Sequence, residues 1–472
     1  MADPLWILRE IVAATGGTSV TSPETEITGF SIDSRSIVPS EAFVAIRGLN
    51  RDGHEFVAGA LEAGAALAIV DRDFAGEAAE DRLVSVGDTL EALNELGRAA
   101  RARAQDAVVI AVTGSAGKTG SKEALRLALA PSGAVHASIK SFNNHWGVPL
   151  SLANMKRDTL FGVFEAGMNH PGELDALTRL IRPNIAIVTT VAPVHLGFFR
   201  SVAEIADAKA EIFHGVVPGG TAIINRDNPH YERLAAHARE HGAQVISFGE
   251  AQDANARLVD VALAPDGSDV TANILGETVS YRLGAPGRHV VQNSLGVLAA
   301  AKLARADLAR AADALAGVQA QAGRGARLVV AANGGHIAII DESYNANPAS
   351  MRAALATLGL TPRTEFKRRV AVLGDMLELG GEGPRLHAEL AEFIDGAGVD
   401  VVFACGELMG SLFEALPASR RGAYAKSAEE LRSLLTDAVG AGDVIMMKGS
   451  LGSRMAPLVE ALKQRFAGNV PA

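Results

Sequence analysis

The chain has 472 residues, enough for about three domains, and its composition is typical of α/β enzymes: 48 % of the residues are apolar and only 5 % aromatic. The net charge of −10 argues against a general nucleic-acid or membrane-surface role, because either usually needs a basic face. The N-terminus lacks a signal-peptide layout, and no apolar run approaches the about 20 residues of a spanning helix. The single cysteine, Cys405, cannot form an internal disulfide. We therefore expect a cytoplasmic protein without nucleic-acid partners or membrane insertion.

The first unit, residues 1–105, is predicted to be a small α/β domain. EAFVAIRG at 41–48 and LAIV at 67–70 indicate short strands, and amphipathic helices are predicted around 55–64 and 88–104. In the stretch GFSIDSRSIVPSEAFVAIRG, Ser34 and Arg35 lie in a turn where a hydroxyl and a guanidinium could hold a phosphate. From this segment alone, a surface ion pair is an equally good interpretation of Arg35.

The second unit, residues 106–322, begins with AVVIAVTGSAGKTGSKEA, where a short apolar run breaks into a glycine-rich loop and then becomes helix-forming. This pattern predicts a strand, a phosphate loop and a helix. The predicted phosphate loop consists of Gly114, Ser115, Ala116, Gly117, Lys118 and Thr119. Backbone N–H groups at the helix start face an anion, Lys118 neutralises phosphate charge, and the Thr119 hydroxyl can bind Mg²⁺. The usual phosphate loop has a glycine at the position of Val112, so this chain matches only the shorter GxxGKT form. The alternative interpretation of the segment is an ordinary glycine-rich turn between a strand and a helix.

Further polar residues follow buried strands of the second unit. Glu165 ends FGVFE and His195 follows IVTTVAPV, in a series of strands and helices that predicts a mostly parallel sheet. Ligands gather at the carboxyl ends of such strands, where a carboxylate can hold Mg²⁺. By itself His195 would more often be a structural residue. Lys209, in the helical stretch SVAEIADAKAEIF, would by itself more often be a solvated lysine.

The last part of the chain predicts another helix, a hinge and a third unit. Asn293 lies in the first turns of a helix after GAPGRHVVQ, where an amide could read an adenine edge or bond to nearby backbone. AGRGARLVV is interpreted as a hinge, with Arg324 between two glycines. The third unit, residues 323–472, has four strand-to-turn-to-helix passages, and these predict a doubly wound, Rossmann-like domain.

Nine motifs together carry a resemblance to a known family: FSIDSRSI, TGSAGKT, FNNHWGVPLSL, EAGMNHPGE, APVHL, AKAEIF, DESYNANPASM, VLGDMLELG and MKGSLGSRM. On these motifs the chain resembles the Mur ligases, the ATP-dependent amide-forming ligases of peptidoglycan precursor synthesis, over their whole three-domain plan. DESYNANPASM and VLGDMLELG are the most specific pair. Ala116, Gly120 and Val290 depart from the residues usual in the family.

The resemblance implies a reaction with UDP-N-acetylmuramoyl-tripeptide and D-alanyl-D-alanine as substrates and with ATP and Mg²⁺ as cofactors. The ATP γ-phosphate is transferred to the terminal carboxylate of the tripeptide. The amine of the dipeptide then attacks the acyl phosphate, and the UDP-muramoyl-pentapeptide forms. The residues leave both diaminopimelate and lysine open at the third stem position, and we expect a monomer.

The resemblance also implies roles for individual residues. Thr119 and Glu165 hold one Mg²⁺, while His195 and a carbamylated Lys209 hold a second. The implied nucleotide contacts, besides the phosphate loop, are Asn144, Asn293, Arg324 and Asp341. Ser34 and Arg35 bind the UDP end of the first substrate, and Asn345 and Asn347 orient the reacting groups.

Three other functions are alternatives to this one. Another amino-acid ligase of the superfamily is the nearest, although the N-terminal DSR stretch disfavours a folylpolyglutamate synthase. A P-loop regulatory or motor ATPase, in which hydrolysis drives a change of shape, is disfavoured because the chain has no clear Walker B signature. A binding module with an inactive loop does not explain why Lys118, Glu165 and His195 occur together.

Overall fold

Four β-sheets follow one another along the chain, and each uses strands from one continuous stretch of sequence. The structure, a computed structural model, describes residues 4–48, 50–76, 78, 80–139, 141–194, 196–332 and 334–467. None of the helices within these ranges is both long and apolar enough to cross a membrane.

The first two sheets are built by residues 6–86. An antiparallel pair, β1 (Trp6–Ile7) and β2 (Glu26–Ile27), precedes a parallel sheet. The parallel sheet has the order β3 (Gly29–Ser31), β4 (Glu41–Val44), β5 (Leu67–Asp71) and β6 (Leu83–Val86). The helices of this region are α1 (Leu8–Thr15), α2 (Val57–Glu62) and α3 (Thr89–Arg103). Strands β4 and β5 and helices α2 and α3 lie where the sequence patterns predict them.

The nine-stranded sheet follows, with the strand order 15-14-13-12-11-10-7-9-8. Its strands are β7 (Val108–Thr113), β8 (Val135–Ala137), β9 (Phe161–Glu165), β10 (Ile185–Val188), β11 (Thr221–Asn225), β12 (Gln244–Gly249), β13 (Ala256–Ala264), β14 (Gly267–Ile274) and β15 (Glu277–Leu283). Strands β7 to β13 pair in parallel, whereas β13, β14 and β15 form an antiparallel meander that the sequence analysis did not predict. The helices are α4 (Lys118–Leu129), α5 (Gly147–Ala153), α6 (Glu173–Ile181), α7 (Val202–Ala210), α8 (Tyr231–Glu240), α9 (Arg288–Leu303) and α10 (Leu308–Ala314).

The six-stranded sheet of the third unit has the order 16-17-21-18-19-20, and only its edge strand β16 is antiparallel to its neighbour. The strands are β16 (Ala326–Ala332), β17 (Gly335–Glu342), β18 (Arg368–Gly374), β19 (Val401–Cys405), β20 (Arg421–Ala425) and β21 (Asp443–Lys448). The helices are α11 (Pro348–Gly359), α12 (Gly383–Ala388), α13 (Leu390–Gly396), α14 (Met409–Ala415), α15 (Ala428–Ala438) and α16 (Ala456–Ala467). Apolar cores lie on both faces of this sheet, as in a doubly wound fold.

The central strands are buried along their whole length, which explains their continuous apolar sequences. All of β9 and β10 and all but the first residue of β7 are buried, because helices cover both faces of the nine-stranded sheet. Helix α5 packs its residues Leu150 and Ala153 into the core of the first unit, and Asn154 bonds to both backbone groups of Phe30. The first and second units therefore share a packed interface.

Candidate active site

One large cavity lies where the carboxyl ends of the central strands face the third unit. Its volume is about 1420 Å³, and its walls come from the phosphate loop, the end of β9, the start of α9 and several segments between residues 317 and 452. The predicted site residues that line it are Ser115, Ala116, Gly117, Lys118, Thr119, Asn144, Glu165, Asn293, Arg324, Asn345 and Asn347. His195 lies outside the described residues.

The phosphate loop needs its two glycines because it passes close to other parts of the chain. Gly114 and Gly117 have φ angles of 148° and 82°, which side chains rarely adopt. A Cβ atom at Gly114 would collide with Thr189 Oγ1, and one at Gly117 would collide with Asn293 Nδ2. The Thr189 hydroxyl donates to the carbonyl of Ala116 at 2.6 Å and so holds the loop against the end of β10.

Helix α4 begins at Lys118, within this loop, and has no side-chain cap. Its first backbone N–H groups therefore remain available to an anion in the cavity. Lys118 Nζ donates to the carbonyl of Gly114 at 2.7 Å. Burial lowers the pKa of Lys118, the Glu165 carboxylate opposes this effect, and Arg324 adds to the lowering. A phosphate group at the loop would place a negative charge beside the partly buried ammonium of Lys118.

Two oxygen donors suited to a hard cation lie beside the loop. Glu165, 1 % exposed, is the last residue of β9; its Oε1 accepts a hydrogen bond from Asn143 Nδ2 at 2.7 Å, and its Oε2 has no partner among the described residues. A buried carboxylate oxygen without a partner is costly unless a cation reaches it. The Thr119 hydroxyl lies 3.4 Å from Ser141 Oγ. These oxygens fit Mg²⁺, which prefers few carboxylates together with phosphate and water oxygens.

Lys209 lies on α7, is 3 % exposed and does not line the cavity. Burial lowers the pKa of Lys209 well below its ordinary value, and the positive charge of Lys118 lowers it further. The alternative that Lys209 is a solvated surface lysine is therefore wrong, while its role as a metal ligand stays a prediction.

The opposite wall of the cavity belongs to the third unit and touches the phosphate loop directly. Asn347 Nδ2 donates to the carbonyl of Ser115 at 3.3 Å, although the two residues are 232 positions apart. Arg324 donates to Ser141 Oγ at 3.2 Å, and its guanidinium carbon lies 4.1 Å from the centre of the Tyr344 ring. Gly323 and Gly325, on either side of Arg324, have φ angles of 74° and 98°, which residues with side chains rarely adopt. The backbone path that carries Arg324 into the cavity wall therefore depends on these two glycines.

Two of the predicted nucleotide contacts are engaged in bonds that shape the chain. Asn144 Oδ1 accepts from two backbone N–H groups at the start of α5, at 3.2 and 2.9 Å. Asp341 does not line the cavity, and its carboxylate accepts from Gly323 N at 2.9 Å and from the Ser343 hydroxyl at 2.6 Å. Asp341 therefore fixes the loop that carries Arg324, and a direct contact with a nucleotide stays a prediction.

Ser34 and Arg35 lie in a short 3-10 turn of the first unit and do not line the cavity. The Arg35 side chain is 85 % exposed and forks onto both carboxylate oxygens of Asp33, at 2.8 and 2.7 Å. Its hydrogen bonds with Asp33 raise the pKa of Arg35. The ion pair that the sequence allowed is thus present, and a contact with UDP stays a prediction.

Several residues of the site were missed by the sequence analysis although they lie in or directly beside motifs that it used. Asn143 precedes the predicted Asn144, and Ser141 contacts both Thr119 and Arg324. Lys448, in MKGSLGSRM, is 2 % exposed, lines the cavity and bonds to Glu342 Oε2 and to the carbonyl of Asn345, each at 2.9 Å. The role of each of these residues depends on whether its side chain is buried and on which partner it bonds to. A sequence motif by itself shows neither.

Three family models match consecutive parts of the chain. They are described as the Mur ligase family catalytic domain, at residues 26–101, the Mur ligase middle domain, at 112–301, and the Mur ligase glutamate ligase domain, at 326–451.

Relatives with known names match nearly the whole chain. A UDP-N-acetylmuramoyl-tripeptide–D-alanyl-D-alanine ligase from Rickettsia prowazekii is 33 % identical, over 91 % of this chain and 93 % of the relative. The ligase of the same name from Escherichia coli is 32 % identical, over 92 % and 93 %. The crystal structure of MurF from Acinetobacter baumannii is similar with a TM-score of 0.84, at 29 % identity and with 97 % and 99 % of the two chains covered. Both the sequence and the fold therefore show that this chain belongs to the Mur ligase family.

Proposed function

We propose that this chain joins D-alanyl-D-alanine to UDP-N-acetylmuramoyl-tripeptide in an ATP-dependent reaction of peptidoglycan precursor synthesis. The amide bond forms by way of an acyl phosphate on the terminal carboxylate of the tripeptide. Relatives that carry this activity in their names match more than nine-tenths of the chain.

One observation carries the proposal: a phosphate loop and a loop of the third unit face each other across a single cavity and are bonded together. Asn347 of the third unit donates to Ser115 of the phosphate loop. A ligase of this kind must bring the phosphates of ATP, a substrate carboxylate and an amine into one place. A cavity of about 1420 Å³ between the two loops is large enough for several such groups.

The chain's own residues supply charge and orientation for phosphoryl transfer. Lys118 and the uncapped start of α4 stabilise the negative charge of the phosphates, and Arg324 adds a second cation from the opposite wall. Asn345 and Asn347 hold the third-unit loop in place for the reacting groups. Asn293 contacts the nucleotide from the start of α9, beside Gly117.

A magnesium site at Thr119 and Glu165 is part of the proposal, with a second one at His195 and a carbamylated Lys209. Bound Mg²⁺ neutralises phosphate charge and so reduces repulsion between the reacting anions. Lys209 suits carbamylation because CO₂ reacts with a neutral amine, and the lowered pKa of Lys209 favours that form. The modified side chain would be an anion with oxygen donors in place of an ammonium.

We also propose the domain boundaries 1–105, 106–322 and 323–472, with Ser34 and Arg35 of the first domain at the UDP end of the substrate. The boundaries fall between the sheets, and the guanidinium of Arg35 is exposed and able to exchange Asp33 for a phosphate. A monomer in the cytoplasm is the proposed working state. The use of ATP supports this location.

The proposal is tested by measuring phosphate release in the presence of ATP, Mg²⁺ and UDP-N-acetylmuramoyl-tripeptide. We expect release to depend on added D-alanyl-D-alanine and to match the pentapeptide formed, mole for mole. Phosphate release that continues at the same rate without the dipeptide would contradict the ligase and favour an ATPase.

A further inference from the structure

Asn143 is bonded twice to the segment that carries Glu165. Its Nδ2 donates to Glu165 Oε1 at 2.7 Å, and its backbone carbonyl accepts from Gly167 N at 2.8 Å. A Cβ atom at Gly167 would lie 2.9 Å from two side-chain atoms of Asn143, so only glycine allows this close approach. The amide is therefore fixed relative to the end of β9.

The other oxygen of the same carboxylate, Oε2, is buried and has no hydrogen-bond partner among the described residues. Asn143 and Glu165 both line the cavity. The amide thus occupies one oxygen and leaves the second available to a ligand that enters the cavity. An amide suits this task because it donates a hydrogen bond without a positive charge, so the carboxylate keeps its attraction for a cation.

We propose that Asn143 is a positioning residue for the metal-binding carboxylate, which it holds in the orientation that presents Oε2 of Glu165 to Mg²⁺. This inference rests on the magnesium site proposed above. Hydrogen bonds to a ligating carboxylate commonly fix its orientation, and the loss of such a partner costs about 10- to 100-fold in metal affinity.

The two consecutive asparagines of FNNHWGV have separate tasks in this arrangement. Asn144 Oδ1 accepts from two N–H groups at the start of α5 and does not bond to Glu165. Only Asn143 among the described residues donates to the Glu165 carboxylate from a side chain. Asn144 therefore cannot replace Asn143 at Glu165 without losing its own hydrogen bonds to the start of α5.

The test is ADP binding measured by calorimetry, once with Mg²⁺ and once with EDTA. For Asn143→Leu we expect the affinity gained from Mg²⁺ to fall by about tenfold or more, while ADP affinity in EDTA stays unchanged. In ligation assays the Mg²⁺ concentration for half-maximal rate should rise, with KM for D-alanyl-D-alanine unchanged. Asn143→Gln, which keeps the donor on a longer side chain, should restore part of the gain.

Asn94→Leu is the matched control, because Asn94 Nδ2 also donates to a carboxylate, Glu91 Oε2 at 3.2 Å, but lies on α3 away from the cavity. The Asn94→Leu variant should keep the full increase in ADP affinity that Mg²⁺ gives. Asn143→Ala replaces the leucine variant if that variant does not fold, as judged by thermal unfolding. An unchanged gain in a folded Asn143 variant, or a failure of both variants to fold, would overturn the proposal and make Asn143 purely structural.

Glu165→Gln separates this inference from the site on which it rests. If Glu165→Gln keeps the full Mg²⁺-dependent gain, the magnesium site itself is wrong. If Glu165→Gln loses the gain and the Asn143 variants keep it, the site stands and only the positioning role fails.

Discussion

Two strand-to-helix passages face the same cavity and differ in how their helices begin. After β7 the chain enters α4 through Gly117, and no side chain caps the helix. After β17 it enters α11 through Asn347, whose Oδ1 accepts from Ser350 N at 2.9 Å while the Ser350 hydroxyl accepts from Asn347 N at 3.0 Å. The first helix start is open to an anion, whereas the second is closed by its own side chains.

The difference teaches how one kind of local structure can serve two purposes. Free N–H groups at a helix start attract phosphate, so the open passage is suited to ATP. The capped passage cannot offer the same groups, but its cap leaves the amide nitrogen of Asn347 free to reach Ser115. We interpret α4 as the binding side of the cavity and α11 as the orienting side.

The largest effect is expected from Lys118→Ala, which removes the cation from the open passage. Ligation should fall by about a thousandfold or more, because phosphate charge is then left without its nearest protein cation. The fold should persist, as circular dichroism would show. Lys463→Ala serves as the control, since Lys463 pairs with Glu460 on the surface. Near-normal turnover in folded Lys118→Ala would remove the phosphate loop from the mechanism.

Lys209→Ala tests the buried lysine behind the open passage. We expect a loss of about a hundredfold in turnover, partly restored by added short carboxylates, which can replace the oxygens of a carbamate. The wild type should lose activity in CO₂-free buffer and regain it with bicarbonate. A Lys209→Ala enzyme with the wild-type rate under CO₂-free conditions would show that Lys209 is needed only for packing.

Asn347→Ala tests the capped passage. Loss of the cap should lower the free energy of unfolding by about 1 kcal/mol, measured by urea denaturation. Loss of the bond to Ser115 should also lower kcat by about tenfold, because the third-unit loop would be held less precisely. Asn347→Ser keeps a capping oxygen and should recover stability but not kcat. Equal recovery of both would mean that the bond to Ser115 is unimportant.

The smallest effect concerns Gly120, in the first turn of α4. A Cβ atom there would meet nothing within 4 Å, so Gly120→Ala should raise the free energy of unfolding by about 0.5 kcal/mol. Gly296→Ala in α9 is the comparison, because its Cβ would lie 3.2 Å from the Phe248 ring. The free energy of unfolding of Gly296→Ala should therefore not rise. A loss of stability in Gly120→Ala would show that the open passage needs a flexible first turn.

The sequence by itself determined the fold class and the phosphate loop, because both depend on short-range patterns. Continuous apolar runs predicted buried parallel strands, and the glycines of GSAGKT predicted a tight turn before a helix. Those predictions needed no knowledge of distant partners. The antiparallel meander of β13 to β15 was missed although its two-residue turns, at 265–266 and 275–276, are also short-range features.

Only the tertiary structure decided which side chains are buried and which partner each one has. Asn143 and Asn144 are neighbours with identical side chains, yet Asn143 bonds to Glu165 and Asn144 accepts from backbone N–H groups at the start of α5. Lys209 is buried, although its helical segment also allowed a solvated lysine. Such roles depend on contacts between residues far apart in the chain, and those contacts exist only once the units have packed together.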